Sequence, residues 1–359
     1  MNPENKHIQK HIILIGGLPP NAKWGGTRTY VESLKDYLSS QHYNIVHIPK
    51  SKNVKGSYSC LVRIKLDSMR MKLPPAVAIA QRPDDLFMFK LFRRKNKSIC
   101  VLHGDNLRKM ELKRNKFTAS MYRTMEKRGL RAADKVICVD QSTHDIYVKR
   151  YPWLKEKAVV IPVGVNTSIF KTLDRTECRQ ALGLPEDSRV MLVAGRLEKE
   201  KNIGDAIRMI KEHLDEEGNI LLIAGKGQEE ESLKALAKGI RKANIKFLGQ
   251  IPYPELPKII NASDVILVPS LFESGPLIII EAMACGVPSV STDVGRARIF
   301  IGESGCGVVT KTVDSEFAEK VKIFLTTNVG MKEKCMERVK SFSFHNTGAE
   351  TLKLIKELE

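Results

Sequence analysis

Two carboxylates in the C-terminal half of the chain stand where chemistry is possible. In FESGPLIIIEAMACGVPSV, residues 272–290, Glu273 and Glu281 have seven residues between them, and nearly everything else is apolar. VILVPS before them reads as a strand, and PLIIIEAMACG reads as a helix ended by Cys285, Gly286 and Pro288. Pro276 suits the first helical position, because its missing N–H would be unpaired there. Gly275 lets a ligand approach the backbone, and the N–H groups of residues 275–278 offer an anion site with a favourable dipole. Glu273 then lies in the loop at the helix mouth, and Glu281 lies one to two turns inside. A plainer reading makes Glu273 a dipole-capping acid and Glu281 a salt-bridge partner. Against it, an unpaired carboxylate in an apolar helix is costly. A carboxylate also repels phosphate. The pair makes sense if each accepts hydrogen bonds from hydroxyls while the helix terminus holds a phosphate. A nucleoside diphosphate sugar combines those features: a ribose diol, a diphosphate and a hexose.

A diphosphate needs cations. GRLEKEKN follows the apolar run VMLVAG and supplies Arg196 and Lys201, with four residues between them. Taken alone it could be an ordinary charged loop. The chain has no Asp-x-Asp to clamp a metal and a diphosphate. Arg196 and Lys201 would stabilise charge on a leaving diphosphate instead, and no metal is expected. Near the N-terminus, GGLPPNAKWGGTRTY follows the first apolar run. Its Gly25 and Gly26 would let backbone N–H groups reach the same ligand. The pattern is not G-x-G-x-x-G, which argues against a nicotinamide enzyme. His103 ends SICVLH. A lone His is often structural, but the strand-end position makes it a second candidate.

The elements that position these residues are legible as unalternated apolar runs. They fall at 11–16, 43–48, 76–81, 98–103, 135–140 and 158–163, then at 190–195, 219–225, 245–249, 265–270, 288–293 and 306–310. Such runs are typical of parallel strands covered on both faces, and helical stretches separate them. Two βα series imply two doubly wound domains, with ligands bound beyond the C-terminal strand ends in a cleft between them. The 359 residues and 42% hydrophobic content suffice for both cores. No apolar run approaches the ~20 residues of a membrane span, and the short apolar core at the N-terminus does not read as a signal peptide. Cys60, Cys100, Cys138, Cys178, Cys285, Cys306 and Cys335 are dispersed, which suggests reduced cytoplasmic thiols and no zinc site. The net charge of +18 is uneven. Residues 1–165 hold 32 of the 59 Lys and Arg but only 13 of the 41 Asp and Glu. A solvated basic surface is the plain reading, but so strong an imbalance favours an anionic partner for that half, and membrane lipid and nucleic acid both qualify.

ADKVICVDQSTHD, VVIPVGVNTSIF, VAGRLEKEKN, FLGQIPYPELPKIINASDVILVPS and ESGPLIIIEAMACGVPSVSTDVG occur in this order. Together they resemble the retaining glycosyltransferases of family 4, over nearly the whole chain. The resemblance implies an α/β chain of the GT-B fold, with two Rossmann-like domains facing a central cleft. Residues 1–166 would bind acceptor and 167–340 nucleotide sugar, and the helix of 341–359 would cross back to the first domain. By matching position, Glu273 would contact the donor sugar, with Ser274 and Gly275 beside it, and Glu281 would bind the ribose. Arg196, Lys201, Gly26, Pro276 and Leu277 would hold the diphosphate. Gly249, Gln250 and Ile251 would hold the base, and His103 would lie beside the transferring sugar. The donor would be a UDP- or GDP-sugar, with no cofactor and no enzyme nucleophile. Two departures matter. Ser-Gly-Pro-Leu stands where many members have Gly-Phe-Gly-Leu, which leaves the sugar open. Arg28 stands where an acid is frequent, which would suit an anionic acceptor.

Two other readings remain: a sugar-nucleotide epimerase of similar fold, and a basic nucleic-acid-binding protein. No aromatic-interleaved basic motif supports the second. In LVRIKLDSMRMKL, residues 61–73, Arg63, Lys65, Arg70 and Lys72 flank an apolar stripe of helical period. That pattern suits either a helix packed on a sheet or the surface of an anionic bilayer. The expectation is a cytoplasmic enzyme, attached peripherally to the inner face of the membrane if the second alternative holds. Its acceptor would be a sugar, a lipid-linked or another anionic compound.

Overall fold

The computed structural model describes residues 10–16, 26–49, 75–113, 116–273, 275–327 and 330–359. The apolar runs form twelve strands: β1 (His11–Ile15), β2 (Asn44–Ile48), β3 (Val77–Ala80), β4 (Ser98–Leu102), β5 (Lys135–Cys138), β6 (Ala158–Val160), β7 (Arg189–Ala194), β8 (Asn219–Ala224), β9 (Asn244–Gly249), β10 (Val265–Val268), β11 (Ser289–Thr292) and β12 (Gly307–Thr310). Every residue of β4 and β8 is buried, as helices on both faces of a sheet require. The strands make two parallel sheets, ordered β2-β1-β3-β4-β5-β6 and β12-β11-β10-β7-β8-β9. The chain divides into two compact units, Met1–Val163 with His345–Glu359, and Gly164–Phe344. The sequence-based boundaries lie at 166 and 341.

In the first unit, Ile13, Ile15, Ala78, Cys100, Leu102 and Val136 from the sheet pack with Leu86, Phe89 and Leu130 from its helices. The final helix, Phe344–Leu358, docks on this unit from His345 onward. Thr347 Oγ1 donates to the Pro162 carbonyl at 2.7 Å, and Glu357 pairs with Lys135 at 3.1 Å. At Gly348 a Cβ would fall 2.4 Å from the Tyr37 ring, so only glycine permits this approach. The described cysteines are all buried free thiols. No described helix is long and apolar enough to cross a membrane. Residues 61–73, with Arg63, Lys65, Arg70 and Lys72, lie outside the described residues.

In the second unit, Met191, Val193, Leu221, Ile223 and Leu267 pack against Ile207, Ile210, Phe317 and Val321. Beneath this core lies a buried ion pair. Arg179 is 1% exposed, and its Nη2 donates to Asp264 Oδ2 at 2.9 Å. The same carboxylate oxygen accepts from the Val190 N–H at 2.7 Å, and Arg175 reaches Oδ1 at 2.5 Å. Arg179 Nε also donates to the Ala262 carbonyl at 3.1 Å. Asp264 immediately precedes β10, and Val190 belongs to β7, so this cluster ties those strands together at their N-terminal ends.

Removing one partner of a hydrogen-bonded buried pair costs about 3–5 kcal/mol. Arg179→Met should therefore lower the unfolding free energy of the second unit by about that much in urea titration at pH 7. A loss below about 1 kcal/mol would show that the pair contributes little beyond its own desolvation.

Candidate active site

In the second sheet the strand order reverses between β7 and β10. Ligands of doubly wound sheets bind at such a switch point, beyond the C-terminal strand ends. The loops leaving these two strands are stitched together. Asn202 Nδ2 donates to the Pro269 carbonyl at 3.1 Å, and the Leu271 N–H donates to the Glu200 carbonyl at 2.9 Å. Lys201 Nζ then meets Glu273 Oε1 at 2.8 Å. The same oxygen accepts from Ser270 Oγ at 2.7 Å, while the Ser270 carbonyl accepts from Thr292 Oγ1 at 2.6 Å. A cation and a carboxylate are thus fixed side by side at the strand ends. Glu273 is held by Lys201 and Ser270, and neither carboxylate caps the following helix.

Arg196 lies on the same loop as Lys201, but its side chain is 63% exposed and pairs with Glu198 and Glu200, the latter at 3.3 Å. The structure therefore brings Lys201, and not Arg196, to Glu273. The next strand end supports this loop closely. The Gly195 N–H donates to the Ala224 carbonyl at 2.9 Å, and a Cβ on Gly225 would sit 1.7 Å from the Gly195 carbonyl oxygen.

Pro276 does not begin the helix. Its φ of −72° fits a helix but its ψ of 88° does not, so it caps a helix that runs Leu277–Ala284. Gly275 is half-buried, and Ser274 lies outside the described residues. Glu281 is 6% exposed in this apolar helix, and Tyr253 donates its hydroxyl to Glu281 Oε1 at 2.9 Å. Burial raises the carboxyl pKa to about 7, and the Tyr253 hydrogen bond opposes the rise. Tyr253 follows Gly249, Gln250 and Ile251 in the loop after β9, so the expected base-binding segment and Glu281 meet through this phenol. The sequence reasoning named neither Tyr253 nor Ser270. Both lie within the quoted motifs, but nothing in their spacing marks their orientation.

In the first unit, Gly26 opens the helix Gly26–Ser40. Arg28 is 8% exposed, near the start of a helix whose Thr29, Tyr30 and Val31 are buried as well. This is the residue expected to answer an anionic acceptor. His103 follows β4, and its Nε2 lies 2.8 Å from Gln81 Oε1, just after β3.

Two protein-family models match this chain: "Glycosyltransferase Family 4" over residues 74–169 and "Glycosyl transferases group 1" over residues 174–342. The D-inositol 3-phosphate glycosyltransferase of Acidothermus cellulolyticus is 33% identical over 187 residues, covering 48% of this chain and 42% of the relative. The chain spans about half the length of the curated relatives it matches. Among solved structures, sucrose-phosphate synthase from Thermosynechococcus elongatus has a TM-score of 0.77 at 21% identity, covering 97% of this chain and 99% of that one. Anabaena Alr3699/HepE in complex with UDP-glucose has a TM-score of 0.72 at 17% identity, with coverage of 97% and 99%. The chain belongs to the family-4-type glycosyltransferases, and its fold is GT-B.

The raised pKa of Glu281 has a testable sign. Its protonated form stabilises the fold fully below the unfolded value of 4.5, and that stability is lost as pH rises to about 7. Glu281→Gln should thus unfold at a higher temperature than the wild type at pH 8, with the gap shrinking toward pH 5. The gain at pH 8 is on the order of 3 kcal/mol. Equal melting temperatures across this range would mean that the carboxylate is not destabilised by burial.

Proposed function

We propose that this chain transfers a sugar from a nucleoside diphosphate sugar to an acceptor hydroxyl, without a metal and with retention of anomeric configuration. The observation that carries the reading is the juxtaposition at the β7/β10 switch point. Lys201 and Glu273 are in contact there, and the helix that follows buries Glu281. In this reading Lys201 and the exposed Arg196 neutralise the diphosphate. Arg196 exchanges its surface glutamate partners for phosphate oxygens, which bind a guanidinium in the same forked manner. Leu277 and its neighbours at the helix start add backbone donors. Glu281 accepts the ribose hydroxyls, with Gly249, Gln250 and Ile251 at the base. Glu273, Ser274, Gly275 and His103 are the residues we assign to the sugar.

The transfer breaks the bond between the anomeric carbon and the diphosphate oxygen, and forms one to the acceptor oxygen. The acceptor proton passes to the departing diphosphate, so no enzyme nucleophile is needed. Glu273 and His103 stabilise the positive charge that develops on the sugar. UDP-glucose is a donor worth testing first, because Anabaena HepE, a fold relative, was solved with it. For the acceptor, the excess of Lys and Arg in residues 1–165 favours an anionic compound, including one anchored in a membrane.

Release of nucleoside diphosphate from a panel of UDP- and GDP-sugars, followed by NMR of the product's anomeric proton, tests the reading. Turnover should persist in EDTA and fall at least 100-fold in Arg196→Ala, since such electrostatic contacts to a leaving group contribute about 2.7–4 kcal/mol. Loss of turnover in EDTA with recovery on adding magnesium or manganese would contradict metal independence. An inverted product would contradict retention.

Vesicle co-sedimentation examines the membrane part separately. Wild-type protein should pellet with anionic vesicles at low salt and be released as salt rises, and the combined changes Arg63→Gln, Lys65→Gln, Arg70→Gln and Lys72→Gln should weaken binding. Protein that stays in the supernatant even at low salt would point to a soluble acceptor.

A further inference from the structure

We infer that Gln81 is a positioning residue for His103, holding its ring with the proton on Nε2. The catalytic consequence rests on the function proposed above; the positioning itself does not. β3 and β4 are adjacent parallel strands, and the two residues follow directly from their C-terminal ends. The Gln81 N–H donates to the Ile15 carbonyl at 3.0 Å, which fixes its backbone to β1. Its side chain is 1% exposed, and Oε1 lies 2.8 Å from His103 Nε2. The buried Tyr30 ring meets the imidazole edge-on at 5.1 Å and 78°. The loop beyond is anchored too. Asp105 pairs with Arg150 at 2.5 Å, and Arg150 reaches the fully buried Glu126 at 3.3 Å.

The amide nitrogen of Gln81 has no hydrogen-bond partner among the described residues. A buried donor left unpaired is destabilising. As a packing residue, Gln81 would therefore be inferior to a leucine of similar size. What glutamine supplies and leucine cannot is an acceptor for the Nε2 proton. A neutral acceptor also orients the ring without the charge of a carboxylate, which would favour imidazolium. In a transferase site this leaves the His103 ring in one fixed tautomer.

Long-range proton–nitrogen NMR spectra of the labelled full chain at pH 8 would test this, with His103→Asn identifying the signals. The wild type should show His103 protonated on Nε2 alone. Gln81→Leu should melt no lower than the wild type yet lose that single tautomer. Gln81→Glu should keep the tautomer and raise the His103 titration midpoint by about 1 pH unit or more. A wild-type ring protonated on Nδ1, or an unchanged tautomer in Gln81→Leu, would overturn the positioning role. If Gln81→Leu fails to fold, an unchanged midpoint in Gln81→Glu would do the same. In transfer assays Gln81→Leu should lower kcat at least 10-fold with the donor KM within about 2-fold. A full kcat with a disturbed tautomer would overturn the catalytic consequence alone. Absence of any transfer by wild-type protein would instead strike the proposed function and leave the NMR result standing.

Discussion

Asp264 holds β7 and β10 together at one end, and the second unit's site follows at the other. Its carboxylate takes the Arg179 guanidinium and the Val190 N–H in a buried setting. Once the strands are aligned there, their opposite ends deliver Lys201 and Glu273 to the same point. The loops that carry them are then joined by Asn202 to Pro269 and by Leu271 to Glu200. The reversal of strand order leaves room above this junction, because the helices that follow β7 and β10 lie on opposite faces of the sheet. Strand alignment beneath the core is thus the physical origin of the juxtaposition above it.

Glu281 shows a different economy. A carboxyl buried in an apolar helix, with one phenol for company, is raised to a pKa of about 7. Folding alone gives no reason to keep it there. The proposed ribose site would give one, because a desolvated carboxylate accepts hydrogen bonds from a diol more strongly than a hydrated one. Tyr253 limits the penalty and links the acid to the loop after β9. The site therefore carries a local instability of the kind that binding would relieve.

Much of this was legible in the sequence, and the parts that were not share one cause. Parallel strands covered on both faces must be apolar throughout, so all twelve runs announced themselves, with ends shifted by a residue or a few. Candidates such as Lys201, Glu273 and His103 were found because they follow those runs directly. Contacts between distant residues left no pattern: Tyr253 and Glu281 are 28 positions apart, Gln81 and His103 are 22 apart, and Arg179 and Asp264 are 85 apart. Helix phase was the other gap. GGTRTY marked a helix start but not the burial of Arg28, and the ψ of Pro276 delayed its helix by one residue.

The central claim is that the buried carboxyl of Glu281 receives the ribose diol of a nucleoside diphosphate. Carboxyl carbon NMR of Glu281 through a pH titration, with and without UDP or GDP, tests it most directly. The account predicts a midpoint near 7 for the protein alone. With a saturating nucleotide that has both ribose hydroxyls, the midpoint should fall by more than about 1 pH unit, since hydrogen bonds to the ionised form favour it. The corresponding dideoxynucleotide should not lower it. A midpoint that stays near 7 with either bound nucleotide would contradict the assignment.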